Sequence, residues 1–206
     1  MKQTDLETII KQARAMGQSP DLRRVDLSAT TLPALDLRGA NLSEANLAHT
    51  TLSEVKLSGA NLVFANMMKA NLTGADLAKA NLVFANLQEA VLEYARLDFA
   101  NLSAADLTSA NLRGVSAQEI NLSEANLTQA NLSRADLSNA RLNEAGLNGA
   151  NLRRADLRGA TLRDADLENA DLTRAIFDDQ TNWDSDFNPG AAGAVRELRW
   201  FAPLER

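Results

Sequence analysis

The stretch that sets the architecture runs from Ala60 to Asn86 and reads ANLVFANMMKANLTGADLAKANLVFAN. Every fifth residue of it is Leu, apart from Met67, and the same spacing continues without interruption from Leu22 to Phe177. Leu fills 29 of these 32 positions, so the chain repeats a five-residue unit, Ala-(Asn/Asp)-Leu-x-x. A fixed period is the mark of a repeat architecture, in which each unit stacks on its neighbours.

A period of five fits neither regular element. On an α-helix a step of five residues turns the side chain by about 140°, which would spread the Leu over all faces. On a straight strand an odd step sends successive Leu to opposite faces. The Ala and Leu of a unit share a face in extended chain, so both columns stay on one side only if the chain bends in the two residues that follow. Repeated bends of one hand predict a solenoid with the apolar columns inside.

A longer repeat sets the number of sides. Residues 60–66 recur letter for letter at 80–86, a lag of 20, and residues 41–47 recur at 121–127, a lag of 80. Four pentapeptides per coil is the simplest interpretation, and 32 units then make about eight four-sided coils. One 20-residue column holds Asn41, Asn61, Asn81, Asn101 and Asn121. These amides either hydrogen-bond to one another up the column or bond their own turn backbone.

The repeating unit resembles the pentapeptide-repeat family, in particular its cyanobacterial members with uninterrupted repeats, over residues 20–177. The resemblance implies an all-β solenoid, a right-handed quadrilateral β-helix. It implies little about biochemical role, because the functions of the family are diverse.

The segments flanking the repeat are predicted to close the ends of the solenoid, since open strand edges invite association. We expect residues 1–19 to form a helical N-terminal cap, with Leu6, Ile9 and Ile10 near one face. We expect 20–177 to form the β-helix. Residues 178–206 are predicted to form a loop and a helical cap. The expected features of that last region are a plug by Trp183 and Phe187, a helix start at Asn188-Pro189, and an apolar stripe of Ala192, Val195, Leu198 and Phe201.

Composition argues against several function classes. The chain has no Cys and one His, which disfavours thiolate or His-based metal sites. Its formal net charge of −6 disfavours direct binding to nucleic acid. The sequence shows no secretion signal and no apolar run long enough for a membrane span, so we expect a cytoplasmic protein without a membrane partner. No catalytic set and no phosphate loop are present, and we expect no enzyme activity, cofactor or metal.

The most apolar outward positions are Val63, Phe64, Val83 and Phe84, which follow Leu62 and Leu82 and lie one coil apart. An apolar patch on a surface indicates a partner. The alternative is that the rings lie over a corner and shield the backbone.

The second candidate surface is basic. Arg134, Arg154 and Arg174 form one column, and Arg113 and Arg153 lie in the adjacent one. Such columns can bind an acidic partner or phosphate. The alternative is a solvated face in which neighbouring Asp and Glu balance the Arg.

These observations predict a non-enzymatic scaffold, a rigid rod that presents outward side chains to a protein partner as a monomer or weak homodimer. The alternative comes from the resemblance: quinolone-resistance members of the family imitate duplex DNA and engage DNA gyrase, a type II topoisomerase. The negative net charge has the required sign, whereas the Arg columns interrupt it.

Overall fold

The computed structural model describes residues 3–32 and 34–197. Within them, one α-helix, α1 (Gln3–Ala15), precedes the repeat, and two short strands follow it, β1 (Ile176–Phe177) and β2 (Val195–Arg196). Between α1 and β1 the chain advances through single-residue parallel bridges, one on each side of each coil. The strands are this short because a turn interrupts the extended backbone in every five residues.

Parallel bridges connect each coil to the next with a register of 20 residues. Asn41 pairs with Asn61, Asn61 with Asn81 and Asn81 with Asn101. Four such ladders run along the rod, one on each side, and the register agrees with the lag of 20 in the sequence. The ladder ends with a step of 21, from Thr161 to Asn182, where the repeat stops.

A four-residue turn that begins at the Leu makes each corner. In the turn 62–65 the N–H of Ala65 donates to the carbonyl of Leu62 (2.9 Å). The third turn residue has a positive φ at every turn from Arg24 (57°) to Arg174 (61°), which is the mark of a type II turn. None of these third positions holds Val, Ile or Thr, whereas the second position does, for example at Val63 and Thr73. β-Branched side chains are excluded because they clash with the backbone in the left-handed region.

The five N–H groups of a unit are all hydrogen-bonded where the residue before the Leu is Asn or Asp. Four of them donate to backbone carbonyls. In residues 81–85 these bonds run from Leu82 to Asn101, Phe84 to Ser103, Asn81 to Ala60 and Ala85 to Leu82, at 2.7–3.2 Å. The fifth runs from the N–H of Val83 to Oδ1 of Asn81 (3.3 Å). The Asn/Asp column is therefore part of the backbone's hydrogen bonding, as buried polar groups require.

Both bonding modes foreseen for the Asn column occur. Besides capping the N–H two residues on, Nδ2 of Asn61 donates to Oδ1 of Asn41 (3.3 Å). Nδ2 of Asn121 likewise donates to Oδ1 of Asn101 (3.1 Å). The turn bond is the commoner of the two along the rod.

The interior of the rod contains the Leu and Ala columns. Leu62, Leu82 and Leu102 are fully buried, and Ala fills the smaller positions two residues earlier. Burying one such Leu stabilises the fold by roughly 1.5–3 kcal/mol. Near the C-terminal end Ala165, Leu167 and Ala170 are only partly buried, because less chain covers them.

Helix α1 packs on the first coil. Leu6 and Ile10 are buried in the same apolar core as the Leu column, and Ile9 is partly buried against it. The helix ends in a Schellman motif at Gly17 (φ 69°). There the N–H of Gln18 donates to Ala13 (2.9 Å) and that of Gly17 to Arg14 (3.0 Å).

Ionic contacts also join α1 to the rod. The side chain of Arg14 donates to the carbonyl of Arg38 and lies 3.8 Å from the carboxylate of Asp36. A hydrogen bond from Arg38 lowers the pKa of Asp36 to about 2, so Asp36 stays ionised beside both arginines.

The C-terminal helix predicted from Asn188-Pro189 does not form in the described residues. The chain turns at 189–193 and then enters β2, whose Val195 donates to the carbonyl of Ala175 (2.7 Å). Gly190 and Gly193 (φ 90°) disfavour a helix, and β2 satisfies the edge of β1 that a helix would leave unpaired. Val195 is half-exposed rather than on a buried stripe; Leu198 and Phe201 lie outside the described residues.

Aromatic side chains cover the last coil. Trp183 packs edge-on against Phe177 (centroids 5.9 Å apart) and stacks on Phe187 (5.2 Å). All three are partly buried against the apolar core.

The left-handed turn position predicts an asymmetric response to β-branched residues. We expect Glu124→Val to lower the free energy of unfolding by about 1–2 kcal/mol, because Glu124 has φ 60°. The matched control is Ser123→Val, one residue earlier in the same turn, where Val is tolerated at 63 and 83; it should change the free energy by less than about 0.5 kcal/mol. Urea denaturation measures both, and equal losses would contradict this turn geometry.

Candidate interaction surface

Phe64 and Phe84 form a stacked pair on the outside of the rod. Their rings are nearly parallel (8°) with centroids 5.0 Å apart. The turns at 62–65 and 82–85 are held together by a hydrogen bond from the N–H of Phe64 to the carbonyl of Val83 (3.1 Å). Despite the stacking, the rings remain 59% and 53% exposed, so they do not lie flat over the corner.

The stack belongs to one corner of the rod, which we call the Phe corner: the turns at 62–65 and 82–85 and those at lags of 20 from them. Val63 and Val83 are partly buried beside the rings. In the coil before, Arg24 and Glu44 form an ion pair (2.8 Å), and Ala104 occupies the same position in the coil after. The apolar ridge is thus bounded by a charged pair on one side and a small side chain on the other.

The other exposed aromatic side chains lie on different corners. Phe99 lies on the corner adjacent to the Phe corner, with the ammonium of Lys79 5.9 Å from its ring centroid. Tyr94 lies diagonally opposite the Phe corner, two turns away in the coil. Its ring covers Gly114, where an added Cβ would lie 2.8 Å from Cε1, and Arg113 is 5.6 Å from the ring centroid. Neither residue extends the ridge formed by Phe64 and Phe84.

The arginines identified in the sequence come together on that opposite corner, which we call the Arg corner: the turns at 112–115, 132–135, 152–155 and 172–175. A shallow hollow of about 320 Å³ lies there, lined by Arg113, Ser133, Arg134, Asn151, Arg153 and Arg154. Arg174 is the next residue of the Arg134–Arg154 column. The coils are bonded at this corner, for example from the N–H of Arg134 to the carbonyl of Arg153 (2.9 Å).

Acidic side chains balance only part of this corner. Arg153 pairs with Asp171 (3.0 Å), and Arg113 lies 3.7 Å from Glu93. Hydrogen bonds from the side chain and N–H of Thr173, together with Arg153, lower the pKa of Asp171. The three arginines of the column make no ion pair with any residue among 3–32 and 34–197: Arg134, Arg154 and Arg174.

A hollow at the N-terminal end shows the opposite arrangement. It is lined by Asp21, Arg23, Arg24 and Glu44. There each arginine has its own carboxylate: Arg23 pairs with Asp21 (2.7 Å), and Arg24 with Glu44 (2.8 Å). The solvated, balanced face considered as the alternative for the Arg columns therefore describes the N-terminal hollow better than the Arg corner.

The C-terminal half of the Phe corner is acidic, which the sequence reasoning missed. Glu124, Glu144 and Asp164 occupy its left-handed positions at lags of 20 and are exposed. They form no ion pair within the described part of the chain. Reading the third turn residue at a lag of 20 would have revealed this column. Two diagonal corners of the rod thus carry opposite charges along the same coils.

The described residues contain no cluster of three or more His, Asp or Glu side chains that could hold a metal ion. Among these residues, none of the helices is both long and apolar enough to cross a membrane.

Comparison with known families agrees with the geometry. The model of the pentapeptide repeats matches in eight copies, at residues 21–59, 52–83, 85–122, 105–144, 120–159 and 142–179. These ranges cover well over half of the 206 residues. The chain belongs to the pentapeptide-repeat family. Members of this family form right-handed quadrilateral β-helices, as the resemblance implied.

Solved structures of pentapeptide-repeat proteins resemble this one. QnrB1, a plasmid-mediated fluoroquinolone resistance protein, superposes with a TM-score of 0.62 at 16% identity, over 80% of this chain and 87% of that chain. At that identity the likeness shows the fold alone. HetL, a protein involved in heterocyst differentiation regulation in the cyanobacterium Nostoc, is 31% identical over 82% of this chain and 95% of its own, with a TM-score of 0.23.

A pentapeptide-repeat protein of the Arabidopsis thaliana thylakoid lumen is 29% identical over 53% of this chain and 70% of its own, with a TM-score of 0.42. A search of curated proteins found no significant match.

Proposed function

We propose that this pentapeptide-repeat protein is a non-enzymatic scaffold, a rigid rod that presents the ridge of Val63, Phe64, Val83 and Phe84 to a protein partner. The observation that carries the proposal is the stacked Phe64–Phe84 pair, whose rings are more than half exposed although they touch each other. The proposed working form is a monomer or weak homodimer in the cytoplasm.

A rigid support is what such a ridge needs. The turns beneath the two rings are bonded to each other, and Leu62 and Leu82 below them are fully buried. A surface that is already ordered loses little conformational entropy on binding, which favours affinity. The left-handed backbone at the two Phe is not diagnostic in itself, because every turn of the rod has it.

The size of the ridge limits what it can contribute. Burying two half-exposed Phe side chains yields on the order of 2–3 kcal/mol in total. Association costs roughly 4–15 kcal/mol in lost translational and rotational freedom. The ridge alone therefore supports only weak binding, and a specific partner must also contact the flat sides of the rod next to it. The same arithmetic favours a weak homodimer over a tight one.

Replacing both rings tests the ridge. We expect Phe64→Ser/Phe84→Ser to weaken partner binding by about tenfold or more, because the main apolar anchor is lost. The fold should persist, since Ser109 already occupies a left-handed turn position (φ 57°). The measurement is quantitative affinity capture from host lysate with wild-type and variant chains, followed by calorimetry with the captured protein.

The matched control for that experiment is Tyr94→Ser/Phe99→Ser, which removes two equally exposed aromatic side chains from other corners. Capture that the Phe64/Phe84 variant retains in full, or that the control variant loses equally, would argue against the ridge. Sedimentation across a concentration series shows whether the partner is a second copy of the chain.

A second candidate function rests on the acidic column of Glu124, Glu144 and Asp164. Stacked carboxylates along a rod are the arrangement that imitation of duplex DNA needs, and quinolone-resistance members of the family suggest a type II topoisomerase such as DNA gyrase as the target. The Arg corner opposes this function, because its cations lie on the same coils and offset the negative potential.

A supercoiling assay separates the two functions. We expect DNA gyrase to supercoil a relaxed plasmid at its normal rate in a molar excess of this protein, since the Arg corner weakens the negative field. Inhibition that Glu124→Lys/Glu144→Lys relieves would instead favour the DNA-mimicking function over the scaffold.

A further inference from the structure

We infer that the hollow of the Arg corner is a binding site for an oligophosphate anion, a linear ligand with two or more phosphoryl groups. The site is distinct from the ridge of the Phe corner, and the inference does not rest on the proposed scaffold function.

The first argument is the absence of counter-charge. Arg134, Arg154 and Arg174 stand one above another at lags of 20 in coils that are hydrogen-bonded at this corner. Adjacent coils are about 4.8 Å apart, so the column brings three positive charges close together. No carboxylate among the described residues pairs with any of them, in contrast to the N-terminal hollow, where Asp21 and Glu44 neutralise the arginines. The like charges repel, and an external anion relieves that repulsion.

The second argument is the chemistry of the lining. Its six residues are Arg113, Ser133, Arg134, Asn151, Arg153 and Arg154. All of them can donate hydrogen bonds, and none is acidic. Oδ1 of Asn151 accepts the N–H of Arg153 (3.1 Å), which leaves the Asn151 amide N–H groups as donors for a ligand. A donor-only lining suits an anion whose outer atoms are all acceptors.

The third argument concerns the type of anion. Guanidinium groups match phosphate geometry through paired N–H donors and are widely used to recognise it. A single phosphate is too small to reach charges that extend over three coils, about 10 Å. A linear anion with charge at several points fits this column better. The hollow is open and shallow, so the ligand's affinity depends on charge-assisted hydrogen bonds rather than on burial.

Titration calorimetry with inorganic tripolyphosphate at low ionic strength tests the site in the full chain. We expect saturable one-to-one binding that weakens as salt is added. Arg134→Gln/Arg154→Gln keeps the aliphatic stems and removes two charges, and should weaken binding about tenfold or more. Arg134→Lys/Arg154→Lys keeps the charge but loses the paired donors, and should give an intermediate affinity.

The control variant is Arg141→Gln/Arg163→Gln, which removes two exposed arginines that lie outside the Arg corner. It should bind tripolyphosphate like the wild type, as should the Phe64→Ser/Phe84→Ser variant. Equal weakening in the Arg141/Arg163 variant would show that only net charge matters and would overturn the inference.

Two comparison ligands define the class. Citrate, a tricarboxylate, should bind more weakly than tripolyphosphate, and equal binding would overturn the assignment to phosphate. A single-stranded oligonucleotide of matched charge should also bind more weakly. Tighter binding of the oligonucleotide would assign the hollow to a nucleic-acid backbone and overturn the proposed ligand.

Discussion

The left-handed third residue of each turn is the constraint on which the rest of the rod depends. It closes the turn so that the N–H of the next Ala returns to the Leu carbonyl, as from Ala65 to Leu62. The bend directs the following extended residues along the next side, and four bends complete a coil of 20 residues. Because the bend recurs with a period of five, every Leu faces inward. The Asn or Asp before the Leu then caps the one N–H that the coils do not reach.

The fold could be predicted further than the surface. The period of five and the lag of 20 define the core and the register, because only one coil geometry keeps Leu62, Leu82 and their equivalents inside. The C-terminal cap could not be predicted so well: Ala192 and Val195 have helical spacing, but the unpaired edge of β1 attracts β2 instead. A pattern within one segment does not reveal which edge the segment will meet.

The candidate surfaces were predictable as columns but not as sites. The lag of 20 brings Phe64 onto Phe84 and Arg134 onto Arg154, yet ring stacking and missing ion pairs depend on side-chain rotamers and neighbours. The structure also separates Tyr94 from the ridge, because two turns lie between their corners. The result is a rod that can present different chemistry on each corner: an apolar ridge and an acidic column on one, unpaired arginines on the opposite one.

Through-hydrogen-bond scalar couplings in a long-range HNCO spectrum test the coil geometry most directly. The amide of Leu82 should correlate with the carbonyl of Asn101, 19 residues further along, as the 2.7 Å bond between them requires. Equivalent correlations should recur at every fifth residue. A correlation from Leu82 to the carbonyl of Ala78, four residues earlier, is the pattern of an α-helix and would contradict the quadrilateral coil.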